Sequence, residues 1–235
     1  MFTDVLCRSP FALGVLLVSA LYAPSSTAQV RPNILGAQEP AKTTPAVRQK
    51  GSFSQFGSRE QWQMPVRVMD EIGVRPGMTV ADVGAGEGWF TFYLADRVGP
   101  SGRVIAEDID AQALEAVRER CGQEKVSNVS VLVGETEDPK LPAGAVDVAL
   151  MVNVLSALGN AKNFLGNLAK GLRPDGRLVV IDWDPVKSGQ LAEQEAAAFR
   201  QQSLRQLQDA DFEVVKILDF LPTQTMWICK RRDRG

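Results

Sequence analysis

A chain of 235 residues, 45% hydrophobic and 23% charged, suits one globular domain with an appendage. Its net charge of −2 gives no footprint for nucleic acid or for an anionic membrane surface. Histidine is absent throughout, which excludes Ser-His-Asp and Cys-His nucleophiles and histidine-ligated zinc, and no metal site is expected.

In chain order, Arg8 precedes an apolar run over 11–23 that is short for a bilayer span, and Ser26-Thr27-Ala28 follows. This is the pattern of a signal peptide over 1–28, cleaved after Ala28, with export to the periplasm. Asp4 weakens the positive start, so an uncleaved anchor or a mis-assigned start with a cytoplasmic protein stay open. After cleavage no stable membrane span is expected. Residues 29–57 carry Pro32, Pro40 and Pro45 among Gly, Gln, Thr and Lys and read as a flexible leader. The folded domain is expected over 58–231, with a tail at 232–235.

The segment after Ser58 predicts a helix through Ile72, with Val66, Met69 and Ile72 on a recurring face. A turn at 74–78 leads into Thr79-Val80-Ala81-Asp82-Val83, followed by Gly84-Ala85-Gly86-Glu87-Gly88 and an amphipathic run. This reads as strand, tight loop and helix start. Glycine tolerates positive φ and lets a ligand approach the backbone, while the free N–H groups of a helix start favour an anionic group. A nucleotide-type ligand is the chemistry such a loop suits.

Strand and helix then alternate as in a parallel sheet covered on both faces. Strands are expected at 79–83, 103–108, 129–133, 146–152 and 177–182, and helices at 88–98, 111–121, 160–172 and 190–210. The stripe Phe164, Leu165, Leu168 and Leu172 reads as core packing, and 212–218 with 225–229 as a closing hairpin. Cys121 and Cys229 lack a Cys-x-x-Cys spacing; two buried thiols are favoured over a disulfide.

The second predicted strand ends in Glu107-Asp108, just over twenty residues beyond the glycine loop. In a doubly wound sheet its end lies beside the end of the first strand, where a carboxylate can accept both ribose hydroxyls of an adenosine. Asp108 sits where the apolar run stops. Glu107 points to the opposite face by alternation, and Asp110 suits a cap for the helix at Ala111, a role also open to Asp108.

Together, 80–92, the turn at 98–103, 104–110, Leu141-Pro142-Ala143-Gly144-Ala145-Val146-Asp147 and Leu172-Arg173-Pro174-Asp175-Gly176-Arg177 resemble, in order, the landmarks of class I S-adenosylmethionine (SAM) dependent methyltransferases. The Gly-x-Gly-x-Gly order also fits that family better than the Gly-x-Gly-x-x-Gly dinucleotide fingerprint. The Arg59-Glu60-Trp62-Gln63 lead-in resembles a bacterial, often exported subgroup of unknown substrate. The resemblance implies an α/β, Rossmann-like, doubly wound seven-stranded sheet with an antiparallel last strand, SAM as cofactor and a small-molecule methyl acceptor.

Carried over by position, Gly84, Ala85, Gly86 and Gly88 would line the methionine moiety, with Asp82 near its amino group. Asp108 would hold the ribose, Ile109 would pack on the adenine, and Glu135 or the Thr136 backbone would face the adenine amino group. Asn153 would lie beneath the transferable methyl. Ordinary loop polarity is an equal reading of Glu135 and Asn153.

Leu155-Ser156-Ala157-Leu158 departs from the Tyr-His or similar pair common in related sequences, so acceptor chemistry resting on that histidine is in doubt here. A dedicated base is optional for a sulfonium donor; Asp182 and Glu60 are the candidates, and the catalytic residue stays open. Trp62 and Trp183 either wall the acceptor or pack as core or lid. The other classes kept open are a catalytically idle SAM-fold binding module and an NAD(P)-dependent reductase, the latter disfavoured by the lack of a Tyr-x-x-x-Lys pair. Oligomeric state has no signature in the sequence.

Overall fold

The computed structural model describes residues 58–190 and 192–232, and for 193–196 the backbone only. The signal and leader expectations over 1–57, and the tail at 233–235, lie outside the described residues.

The lead-in is two helices, α1 (Arg59–Gln63) and α2 (Pro65–Ile72), not the single helix expected. The cause is Pro65: the residue before a proline is pushed out of the right-handed helical region, and Met64 sits at φ 43°. Pro65 then opens α2, where its missing N–H costs nothing. The restart also changes the buried face: Val68, Met69 and Ile72 face inward, while Val66 is 59% exposed.

The sheet strands are β1 (Thr79–Val83), β2 (Arg103–Asp108), β3 (Val129–Val133), β4 (Val146–Val152), β5 (Leu172–Trp183), β6 (Phe212–Leu218) and β7 (Gln224–Arg231). Helices α3 (Trp89–Val98), α4 (Ala111–Glu124), α5 (Ala161–Gly171) and α6 (Glu193–Asp209) alternate with them. The order across the sheet is β3-β2-β1-β4-β5-β7-β6, with the first five strands parallel and β7 antiparallel to both neighbours. This is the expected doubly wound sheet. Its switch point lies between the paired strands β1 and β4, where the strand order reverses, and ligands of open α/β sheets bind outside the carboxyl ends of the strands there.

Strand alternation sends successive residues to opposite layers. Ala81, Ala149, Met151, Leu178 and Val180 pack with Phe164, Leu165 and Leu168 of α5. Val80, Val148, Leu150, Val179 and Ile181 pack with Val68, Met69, Phe90 and Leu94. The expected stripe is therefore core, but Leu172 belongs to β5 rather than to the helix. It pairs with Val146, the next pair is Val148 with Arg177, and Arg173 to Gly176 bulge out between them.

Among the described residues no helix is long and apolar enough to cross a membrane. Among the described residues Cys121 and Cys229 are free thiols; Cys229 is buried in the core, where burial pushes it up to about 12.

Candidate functional site

The loop between β1 and α3 carries the conformation its glycines permit. Gly84, Gly86 and Gly88 have φ of 71°, 57° and 81°, a region L side chains rarely adopt. At Gly84 space is also exhausted, since a Cβ would stand 2.3 Å from Val154 Cγ2. The loop is stitched to the end of β2: the Ala85 N–H donates to the Glu107 carbonyl at 2.8 Å, and the Gly86 N–H donates to Asp108 Oδ2 at 2.7 Å.

Asp108 Oδ1 accepts from the Asp110 N–H at 2.9 Å. Capping of α4 falls to Asp110, whose Oδ1 accepts from the N–H groups of Gln112 and Ala113. Asp108 is thus left at the loop, half-buried, with lone pairs beyond the two already used. Next to it Ile109 presents an apolar side chain that is 57% exposed.

Two further acids lie below this loop. Asp82 is 3% exposed and accepts from Thr91 Oγ1 at 2.7 Å. Burial pushes its carboxyl up to about 6, against the pull of the Thr91 hydrogen bond and the Arg59 charge. Glu107 turns inward, 2% exposed, and burial pushes it up to about 8; the Gly84 N–H pulls it down, while Asp108, Asp82 and Asp138 add to the rise. Its room comes from Gly134, where a Cβ would stand 1.9 Å from Glu107 Oε1. Sequence reasoning missed this pair; the available signal was a glycine directly after an apolar strand.

Beyond β3, the Gly134 N–H donates to the Asp108 carbonyl at 3.1 Å, bringing the 135–138 turn to the same edge. Glu135 and Asp138 exchange backbone hydrogen bonds at 2.7 and 3.2 Å, Glu135 pairs with Lys140, and Thr136 is exposed at the turn. Glu137 accepts from the side chains of Asn160 and Asn163 at the start of α5.

The other half of the edge is differently committed. Asn153 has φ 59°, its N–H donates to the Ile181 carbonyl, and its Oδ1 accepts from Gln224 Nε2 at 2.8 Å. Asp182 is fully buried and accepts from the Ser156 N–H, Ser156 Oγ and the Trp183 N–H at 2.9–3.0 Å. Its carboxylate therefore clips the 3-10 turn Leu155–Ala157 to the end of β5, and burial raises its pKa. Trp62 and Trp183 stack on each other, centroids 5.4 Å apart at 25°, with Trp62 7% exposed. Glu60 is exposed and lines a surface groove of about 480 Å³ with Met64, Arg67, Asp70 and Tyr93. The structure thus groups Asp82, Gly84, Ala85, Gly86, Gly88, Asp108 and Ile109 at one end of the edge. It ties Asn153, Asp182 and Trp183 into contacts at the other.

Arg59 links α1 to the loop. Its guanidinium lies 4.6 Å from the centroid of the Trp89 ring, and its Nε donates to Gln63 Oε1 at 2.5 Å. Among the described residues, the buried donors Gln63 Nε2 and Trp89 Nε1 and the buried acceptor Gln224 Oε1 have no hydrogen-bond partner. Unpaired buried polar atoms are costly.

Residues 75–220 match the family described as Methyltransferase domain. Nocamycin O-methyltransferase of Saccharothrix syringae is 35% identical over 112 residues, covering 48% of this chain and 40% of that protein. A ubiquinone/menaquinone biosynthesis C-methyltransferase of Hydrogenovibrio crunogenus is 29% identical over 138 residues, covering 58% and 54% respectively. The chain spans about half the length, or less, of these curated relatives. A SAM-dependent methyltransferase from Aquifex aeolicus superposes with a TM-score of 0.66 at 26% identity, covering 75% of this chain and 95% of that one.

Proposed function

Because the chain belongs to the Methyltransferase domain family, whose members include SAM-dependent enzymes, we propose that it transfers a methyl group from SAM to a small-molecule acceptor by in-line displacement. The observation that carries the reading is the Asp108 carboxylate at the end of β2 bound to the Gly86 N–H of the loop after β1, whose glycines all hold positive φ.

The residues present fit the cofactor. Asp108 has acceptor capacity for ribose hydroxyls, Ile109 offers an exposed apolar face for adenine, and the 135–138 turn lies beside them. Asp82 is an acid for the amino group, and a cation there would draw its carboxyl back toward the ionised form. Gln63 Nε2 and Trp89 Nε1 are donors awaiting acceptors.

SAM, when bound, supplies a methyl already electrophilic on its sulfonium. What the chain must add is alignment and exclusion of water. Trp62 stacked on Trp183 excludes water along the α1–β5 side, and Asn153, pinned by Gln224, presents a fixed polar surface at the end of β4. Asp182 serves this edge as a clip rather than as a base, because its oxygens are taken by three donors. The acceptor is thus one that is nucleophilic without deprotonation by this carboxylate.

Titration of the full chain with S-adenosylhomocysteine in a calorimeter tests the cofactor assignment; absence of binding by the folded protein sinks it. Labelled SAM incubated with cell extract then identifies the acceptor. Export to the periplasm rests on Arg8, the apolar run over 11–23 and Ala28, and mass spectrometry of the native chain should find an N-terminus at Gln29.

A further inference from the structure

We propose that Glu137, Asn160, Asn163 and Asn167 are positioning residues that hold the 135–138 turn in register with the adenine base, so that the start of α5 sets how strictly the site tells adenine from other purines. The inference rests on the SAM reading above and assigns a role to side chains that act through the turn rather than on the ligand.

Three amides converge on one residue. Asn160 Nδ2 donates to Glu137 Oε1 at 3.2 Å, Asn163 Nδ2 to Glu137 Oε2 at 2.7 Å, and Asn167 Nδ2 to the Glu137 carbonyl at 2.8 Å. Their spacing places them along one face of the helix. Two of the amides are oriented by what their oxygens accept: Asn160 Oδ1 takes the Asn163 N–H at 3.2 Å as the cap of α5, and Asn167 Oδ1 takes Lys170 Nζ at 2.8 Å. Their nitrogens are thereby left for Glu137. The hydrogen bonds from Asn163 and Asn160 hold the Glu137 carboxyl below its ordinary value, so this strap keeps its charge at neutral pH.

The turn has little else to hold it on that side. Glu135, Thr136 and Glu137 are all exposed, and a segment with few buried contacts opens easily. On the opposite side the Gly134 N–H ties it to the Asp108 carbonyl at 3.1 Å, at the edge where ribose and base would lie. Glu135 and Thr136 therefore stand between a fixed strand end and a fixed helix. A polar group reads a base only as strictly as it is held in place before the ligand arrives.

S-inosylhomocysteine differs from S-adenosylhomocysteine only in the base, with an oxygen in place of the amino group and a proton on the ring nitrogen beside it. In calorimetry with the full chain, wild type should bind S-adenosylhomocysteine at least about tenfold more tightly than S-inosylhomocysteine. Asn163→Asp sets a carboxylate against Glu137 where an amide donated, while an acid in the first turn leaves α5 intact. It should weaken S-adenosylhomocysteine by about tenfold and S-inosylhomocysteine, whose base gains little from the turn, by less than about threefold. Asn163→Asp combined with Glu137→Gln exchanges amide and carboxylate across the same contact, and should return affinity and preference to within about threefold of wild type. Asn167→Ala, which deletes only the bond to the carbonyl, should weaken S-adenosylhomocysteine about threefold with the same selectivity. Equal weakening of both ligands by Asn163→Asp, no weakening in either single variant, or no recovery in the exchanged pair overturns the strap. A wild type that binds the two ligands alike also overturns it, and all of these leave the SAM reading standing. Failure of wild type to bind S-adenosylhomocysteine overturns the SAM reading itself.

Discussion

The two halves of the sheet's carboxyl edge solve opposite problems with similar residues. At β1 and β2, Asp108 spends its oxygens on two backbone N–H groups and stays half-buried, with capacity left over. At β5, Asp182 spends its oxygens on three donors and is fully buried. The first carboxylate shapes a loop around a space; the second fastens a turn to a strand. An acid at a strand end is thus defined by how many donors the fold brings to it, and burial alone does not mark a catalytic group.

The sharpest way to break the comparison is to fill the loop. Gly84→Ala places a side chain at φ 71° and 2.3 Å from Val154 Cγ2, so S-adenosylhomocysteine affinity should fall on the order of a hundredfold. Thermal unfolding of the same variant should show a stability loss of about 2 kcal/mol.

Paired substitutions of the two acids come next. Asp108→Ala should cost about a hundredfold in S-adenosylhomocysteine affinity, measured by calorimetry, because two charge-assisted hydrogen bonds to ligand go with it. Asp182→Asn should leave that affinity within about threefold and instead lower stability by about 2 kcal/mol, since its amide nitrogen opposes donors already there. If both variants lose binding and stability together, the division between the halves is wrong.

Glu107 sharpens the contrast in pH. Its carboxyl is raised from 4.5 to about 8, so the folded chain keeps a proton that the unfolded chain releases. Stability from this group is complete below the unfolded value and is lost as pH climbs through that window; Asp82, raised from 3.8 to about 6, acts in the same direction lower down. The melting temperature should fall by roughly 5 °C or more between pH 5.5 and 8.5, and Glu107→Gln should remove most of that fall. The smallest effect expected is for Ser156→Ala, which deletes one of the Asp182 donors and should cost about 1 kcal/mol in chemical denaturation, with cofactor affinity unchanged.

The strands β1 to β4 begin and end where the sequence predicts: β1, β2 and β4 are buried apolar runs with sharp ends, and the edge strand β3 is a short Val-rich run. The misplacements have local causes. Pro65 splits the lead-in, and Leu172 leaves its helix because it completes a pair with Val146 across the sheet. α4 runs on to Glu124 beyond its expected end at Cys121, since polar residues continue a helix without extending its buried face.

The cofactor loop was legible because its chemistry is contiguous: strand, three glycines and helix lie within 79–98. The contacts that define the rest join residues far apart. Asn153 meets Gln224 across 71 positions, Ser156 meets Asp182 across 26, and Glu107 occupies the space left by Gly134. No periodicity or local propensity encodes such pairs.

By itself, then, the sequence determined the alternation of strand and helix, the glycine loop, the acid at the end of β2 and the exclusion of histidine chemistry. The first three follow from residues near one another in the chain, and the last from composition. Only the tertiary structure decided that Asp110 and not Asp108 caps α4, that Asp182 is a clip, and that Arg59 lies over the Trp89 ring. Those outcomes depend on which donors and acceptors the packed sheet brings within hydrogen-bond distance, and packing is a property of the whole chain.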